Sequence, residues 1–132
     1  MLRFLRHIPP YIPTLLVYVI ICYLSLDADP FHDSKRLFVF PGSDKVVHFI
    51  MYCGLTATFC FDYYRHRVVR SGSWLLPVAL VVAIATGGVL ELLQTHMGIG
   101  RTGDYVDFIA NSLGAVVGLV AGRKIFVRLF TL

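Results

Sequence analysis

Four apolar runs dominate the chain: roughly Tyr11 to Leu26, Lys45 to Phe61, Trp74 to Leu93, and Tyr105 to Val127. A helix that crosses a bilayer needs ~20 mostly apolar residues. In 132 residues, four such runs and three connections leave no room for a separate soluble domain or an internal repeat. With 57% hydrophobic and only 15% charged residues, the chain is too apolar for a soluble domain with a polar surface. The predicted fold is all-α: a polytopic membrane protein with four transmembrane helices in a compact bundle, a single domain over residues 1–132. The second run is the weakest, being short and starting against Asp44 and Lys45.

Arg3 and Arg6 before the first run resemble a secretion signal. Pro9, Pro10 and Pro13 open that run, however, and Asp27-Ala28-Asp29 closes it without a small-residue cleavage site, so it reads as a retained anchor. The basic residues then set orientation. Arg3, Arg6, Arg65, Arg67, Arg70, Arg123, Lys124 and Arg128 fall on alternate connections, which places these segments and both termini in the cytoplasm. Lys35, Arg36, Lys45 and Arg101 share the other side with all the acidic residues except Asp62. The net charge of +4 thus reflects membrane topology, and no nucleic-acid partner is expected. The expected location is the inner or plasma membrane, multi-pass.

Cys22, Cys53 and Cys60 lie inside the predicted helices without metal-ligand spacing, and their odd number argues against a closed disulfide framework. They read as small core residues.

Polar groups inside the runs are costly in a bilayer, so each asks for a partner or a task. Lys45, His48 and Tyr52, at i, i+3 and i+7, share one side of the second helix. Glu91 and Gln94 are three apart near the end of the third. Asp104, Asp107 and Asn111 repeat a three-then-four spacing at the start of the fourth. The topology brings these three helix ends to one outer face, with Arg101 in the short connection beside them. Gly114, Gly118 and Gly122 continue the fourth helix at intervals of four, a small-xxx-small pattern that lets backbones approach in lipid. That stripe makes the fourth helix the packing hub and would also permit a homo-oligomer.

These residues also define a resemblance. Asp44-Lys45-Val46-Val47-His48-Phe49 followed by Tyr52, then Glu91-Leu92-Leu93-Gln94, Arg101, and Asp104-Tyr105-Val106-Asp107-Phe108-Ile109-Ala110-Asn111 with Gly114 and Gly118, together span about two thirds of the chain. In order and in location at helix ends they resemble the VanZ-like membrane proteins. That family takes its name from a protein associated with reduced susceptibility to the glycopeptide teicoplanin. The resemblance implies a small polytopic cell-envelope protein and no settled reaction.

Each residue has a structural alternative. Asp104 and Asp107 suit a helix N-terminus, where a carboxylate contributes ~0.3–1 kcal/mol. His48 suits a hydrogen-bonded helix interface, Tyr52 an interfacial anchor, and Arg101 a contact with headgroup phosphates. Glu91 is harder to absorb, because an unpaired carboxylate in hydrocarbon protonates or draws in water.

Three function classes follow. In the first, Lys45, His48, Tyr52, Glu91, Gln94, Arg101, Asp104, Asp107 and Asn111 form an extracytoplasmic pocket for membrane lipid or a lipid-linked cell-wall precursor. In the second, an intramembrane enzyme uses Glu91 or Asp107 as base and His48 as acid on a lipid phosphate. In the third, the network only fixes the register of a partner-binding bundle. No HExxH-type motif occurs, and no metal or cofactor is predicted, although the acidic residues with His48 and His96 leave a divalent ion open.

Overall fold

A computed structural model of the chain describes residues 2–5, 7–26, 43–66, 74–96 and 105–131. Arg67 and Arg70, the link from Gly98 to Gly103, Arg101 and Asp104 lie outside these residues. Among the described residues five helices are present: α1 (Leu2–Leu5), α2 (Ile12–Leu26), α3 (Ser43–Arg65), α4 (Leu75–His96) and α5 (Tyr105–Thr131). The all-α class follows directly.

Proline marks where two of these helices start. Pro13 and Pro77 each fall in a first turn, where the missing N–H has no intrahelical partner to lose. Tyr11 precedes α2 with φ 62°, in the left-handed region that a non-glycine side chain seldom adopts. Its ring stacks on Phe59 of α3 at 5.6 Å between centroids, a tertiary contact that helps hold this entry.

Of the described helices, α3 over Lys45–Arg65 and α4 over Leu75–His96 are long and apolar enough to cross a membrane. Only 33% and 28% of their most apolar windows are buried, whereas the core helix of a soluble protein is mostly buried. Leu15 and Leu16 on α2, Val81 and Leu92 on α4 and Leu113 on α5 likewise point their apolar bulk outward. Apolar outer faces of this kind mark a surface for membrane or for other protein. The 15 residues of α2 fall short of the ~20 that a span requires, and α5 carries Arg123, Lys124 and Arg128 in its last third.

The dominant packing is α5 on α3. A Cβ at Gly114 would overlap the Phe49 carbonyl oxygen, and one at Gly118 would overlap the Cys53 carbonyl oxygen and the Thr56 hydroxyl. At Gly122 it would stand 3.1 Å from Ala57 Cα and 3.0 Å from Cys60 Cβ. Glycine lets the two backbones meet, and Thr56 Oγ1 then donates to Ala115 O at 2.8 Å across the seam. Beyond the last glycine, Phe61 meets Phe126 and Phe130 edge-on. Ile21, Tyr52, Leu55, Ala83, Leu90 and Ala115 form the main core among α2, α3, α4 and α5.

The predicted second span ends at Phe61, before the charged Asp62. The structure carries α3 on to Arg65, because that charge turns inward. Asp62 is fully buried and pairs with Arg65 at 2.5 Å. It also accepts from Thr14 N at 3.0 Å and Thr14 Oγ1 at 2.5 Å. Thr14 N lies in the first turn of α2, so a carboxylate from α3 satisfies a donor that α2 cannot. Arg65 in turn donates to the carbonyls of Leu5, Ile8 and Pro9, fastening the N-terminal segment to the end of α3. Read from sequence as a topology determinant, Arg65 is only 3% exposed and serves as a staple.

Candidate functional site

The opposite end of α3 meets the C-terminal end of α4 and the start of α5, and polar side chains from all three converge there. His48 is the centre. Its Nδ1–H donates to Asn111 Oδ1 at 3.0 Å, a bond between α3 and α5 buried on both sides. Glu91 Oε1 of α4 lies 4.0 Å from His48 Nδ1, and Asp107 Oδ2 of α5 lies 4.0 Å from His48 Nε2. The other Asp107 oxygen faces Lys45 Nζ at 3.6 Å. His48, Glu91, Asp107 and Asn111 are all buried, while the Lys45 side chain is about one third exposed and stands at the rim.

The helical spacing explains the convergence. Lys45, His48 and Tyr52 project from one side of α3, and Asp107 and Asn111, four apart, face them from α5. Depth then matters. A buried carboxylate is costly unless it is paired or coordinating, and two of them stand 4.0 Å from one imidazole here.

Gly87 on α4, a residue that spacing arguments do not single out, makes room for this arrangement. A Cβ there would lie 3.3 Å from Asn111 Cβ and Nδ2 and 3.5 Å from Tyr52 Cε1. The signal that could have exposed it is the Gly87-Gly88 pair inside an otherwise bulky apolar run. Tyr52 is 1% exposed, and its hydroxyl has no hydrogen-bond partner among the described residues.

Gln94 takes a different direction. It is buried, but its Nε2 donates to Ser25 O near the end of α2. His96 is exposed and stands apart from the group. The metal-competent set among the described residues is instead His48, Glu91 and Asp107, whose ligand atoms all lie within 4.8 Å of one another.

Two apolar clefts lie elsewhere. One, of about 220 Å³, is lined by Thr14, Tyr18, Leu55, Phe59, Val82 and Ala83. The other, of about 450 Å³, lies between Trp74 just before α4, Leu76, Pro77 and Leu80 of α4, and Leu119 and Arg123 of α5. Neither includes His48, Glu91 or Asp107.

Apolar exteriors on α3 and α4 and an ionisable cluster held between helices define a membrane-associated helical protein. The chain belongs to the VanZ/LLP1 family, whose model matches residues 11–127 and so covers helices α2 to α5 almost completely. Membership is consistent with a cell-envelope protein linked to glycopeptide resistance. Neither the curated proteins nor the solved structures contain a match to the chain.

Proposed function

We propose that the chain forms a four-span bundle with both termini in the cytoplasm, and that its polar pocket opens to the extracytoplasmic side. There it engages an anionic lipid or a lipid-linked cell-wall precursor, and by doing so lowers susceptibility to glycopeptide antibiotics. One observation carries the reading: His48, Glu91 and Asp107, each buried, come from three different helices to one point. Ionisable groups inside a membrane bundle mark ligand or ion sites more often than they mark packing. Lys45 stands at the rim as a cation for phosphate, and Arg101 is its expected counterpart from the link that follows α4. The carboxylates orient sugar hydroxyls or an amine.

The test is the melting temperature of the detergent-purified protein with phosphatidylglycerol or with phosphatidylcholine. A ligand that binds only the folded state at 100 times its Kd stabilises by ~2.7 kcal/mol. The wild type is expected to melt higher with the anionic lipid. Glu91→Gln and Asp107→Asn, which keep size and hydrogen bonding, are expected to lose that selectivity at unchanged membrane abundance. Equal responses to both lipids by the wild type would remove the anionic-ligand reading.

A further inference from the structure

The charge of the pocket sets a condition on any anionic ligand. Of its described side chains, Lys45 is positive while Glu91 and Asp107 are negative, leaving one net negative charge when His48 is neutral. In a low-dielectric site that field repels a phosphate. We propose that His48, Glu91 and Asp107 bind a divalent transition-metal ion of the Zn2+ or Mn2+ kind, and that this ion engages the ligand's phosphate. The ion site stands on its own geometry; only its role as a bridge rests on the anionic-ligand reading.

One nitrogen and two oxygens within 4.8 Å of one another enclose a point lying within about 2.8 Å of all three. Metal–ligand bonds of ~2.0–2.6 Å then require each side chain to move by roughly half an ångström. The His48–Asn111 bond is the outer-shell contact that such a ligand needs. With Nδ1–H committed to Asn111, the lone pair of the neutral ring is on Nε2, the edge that faces Asp107. Asp107 divides its oxygens, Oδ1 toward Lys45 and Oδ2 toward His48. Asp107 already lies 4.0 Å from Nε2, whereas Glu91 lies 4.0 Å from Nδ1 and must swing toward Nε2 to share an ion held there.

Tyr52 supplies an independent sign. Its hydroxyl is buried and, among the described residues, without a hydrogen-bond partner, and its ring lies with Asn111, the partner of His48, against Gly87. A buried donor of this kind is matched by a polar ligand atom or a metal-bound water. Imidazole with two carboxylates suits Zn2+ and Mn2+ better than Ca2+ or Mg2+, which prefer all-oxygen shells. With the ion in place the net charge of the pocket becomes positive, and a phosphate is attracted.

The full chain, purified in detergent and stripped with a chelator, is titrated with MnCl2 while free Mn2+ is followed by electron paramagnetic resonance, and with ZnCl2 in competition. The wild type is expected to bind one ion per chain. Glu91→Gln and Asp107→Asn should each weaken binding at least 10-fold, and Asn111→Ala by ~10–100-fold. Lys45→Met, which removes a neighbouring positive charge, should tighten it several-fold, a gain that a merely structural network would not produce. A folded wild type that takes up neither ion overturns the site, as does equal binding by the charge-removing variants. Should those variants fail to fold, an affinity unmoved by Lys45→Met counts against it. The bridging role is read from the phosphatidylglycerol melting shift before and after chelation. A shift that survives chelation overturns the bridge and leaves the lipid reading intact. Ion binding without any such shift supports the site and retires the lipid reading.

Discussion

Replacing Gly118 by alanine adds one methyl group at the tightest point of the α3–α5 seam. That carbon would overlap the Cys53 carbonyl oxygen and the Thr56 hydroxyl, and would stand 2.8 Å from the Cys53 carbonyl carbon. Reaching ordinary contact, 3.4 Å or more, requires about 0.6 Å of parting for the carbonyl carbon alone and more for the overlapped oxygen. A gap of that size forfeits a quarter to a half of the dispersion energy of the atoms it separates, and overpacking of this kind costs ~1–3 kcal/mol. Thr56 must also give up or lengthen its 2.8 Å bond to Ala115 O, worth ~0.6 kcal/mol between membrane helices. The sum is a loss of roughly 1.5–3.5 kcal/mol. Gly54, on the exposed side of the same seam, has nothing within 4 Å of its added Cβ, so the same substitution there should be neutral or stabilise by up to ~1 kcal/mol. Unfolding in SDS mixed micelles, followed by circular dichroism, measures both. If Gly118→Ala and Gly54→Ala agree within ~0.5 kcal/mol, the close approach of α3 and α5 is refuted.

At the other end of α3, Asp62→Ala leaves Arg65 buried and uncompensated. It should cost ~3–5 kcal/mol in the same unfolding assay, and Asp62→Ala with Arg65→Met should cost less than the sum of the single changes. Gln94→Ala removes its bond to Ser25 O and should lower stability by ~0.5–1.5 kcal/mol, seen as a lower midpoint at unchanged slope. Gly87→Ala presses on Asn111 and Tyr52 at 3.3 and 3.5 Å, and should loosen the His48–Asn111 bond, read as a shift of the His48 ring resonances. Cys60, fully buried, should resist a membrane-permeant maleimide in the folded protein, while the half-buried Cys22 and Cys53 react first, as labelling followed by mass spectrometry would show.

Much of the helical plan can be read from hydropathy. The observed helices α2 to α5 begin within two residues of the apolar runs, and α3, α4 and α5 extend three or four residues further at their C-terminal ends. Spacing also indicates which side of α3 carries Lys45, His48 and Tyr52, because a helix repeats its faces every three to four residues. Sequence is silent where a side chain chooses between two neighbours. Gln94 lies three residues from Glu91, yet the offset between them is enough for Glu91 to face α3 and α5 while Gln94 reaches α2. Asp62 and Arg65 read as the end of a span, since charge ordinarily leaves the bilayer; their mutual pairing, invisible before the fold is known, keeps them inside. Gly87 matters only because the register of α4 on α5 sets it against Asn111. The four-residue α1 is too short to leave a periodic signal.

The measurement that bears most directly on the proposed pocket is native mass spectrometry of the detergent-purified protein, comparing wild type with Glu91→Gln and Asp107→Asn for retained lipid. The account predicts one class of anionic lipid carried by the wild type and lost from both variants while each stays folded. If all three carry the same unselective mixture, the cluster of His48, Glu91 and Asp107 serves the packing of the bundle and the proposed ligand site is contradicted.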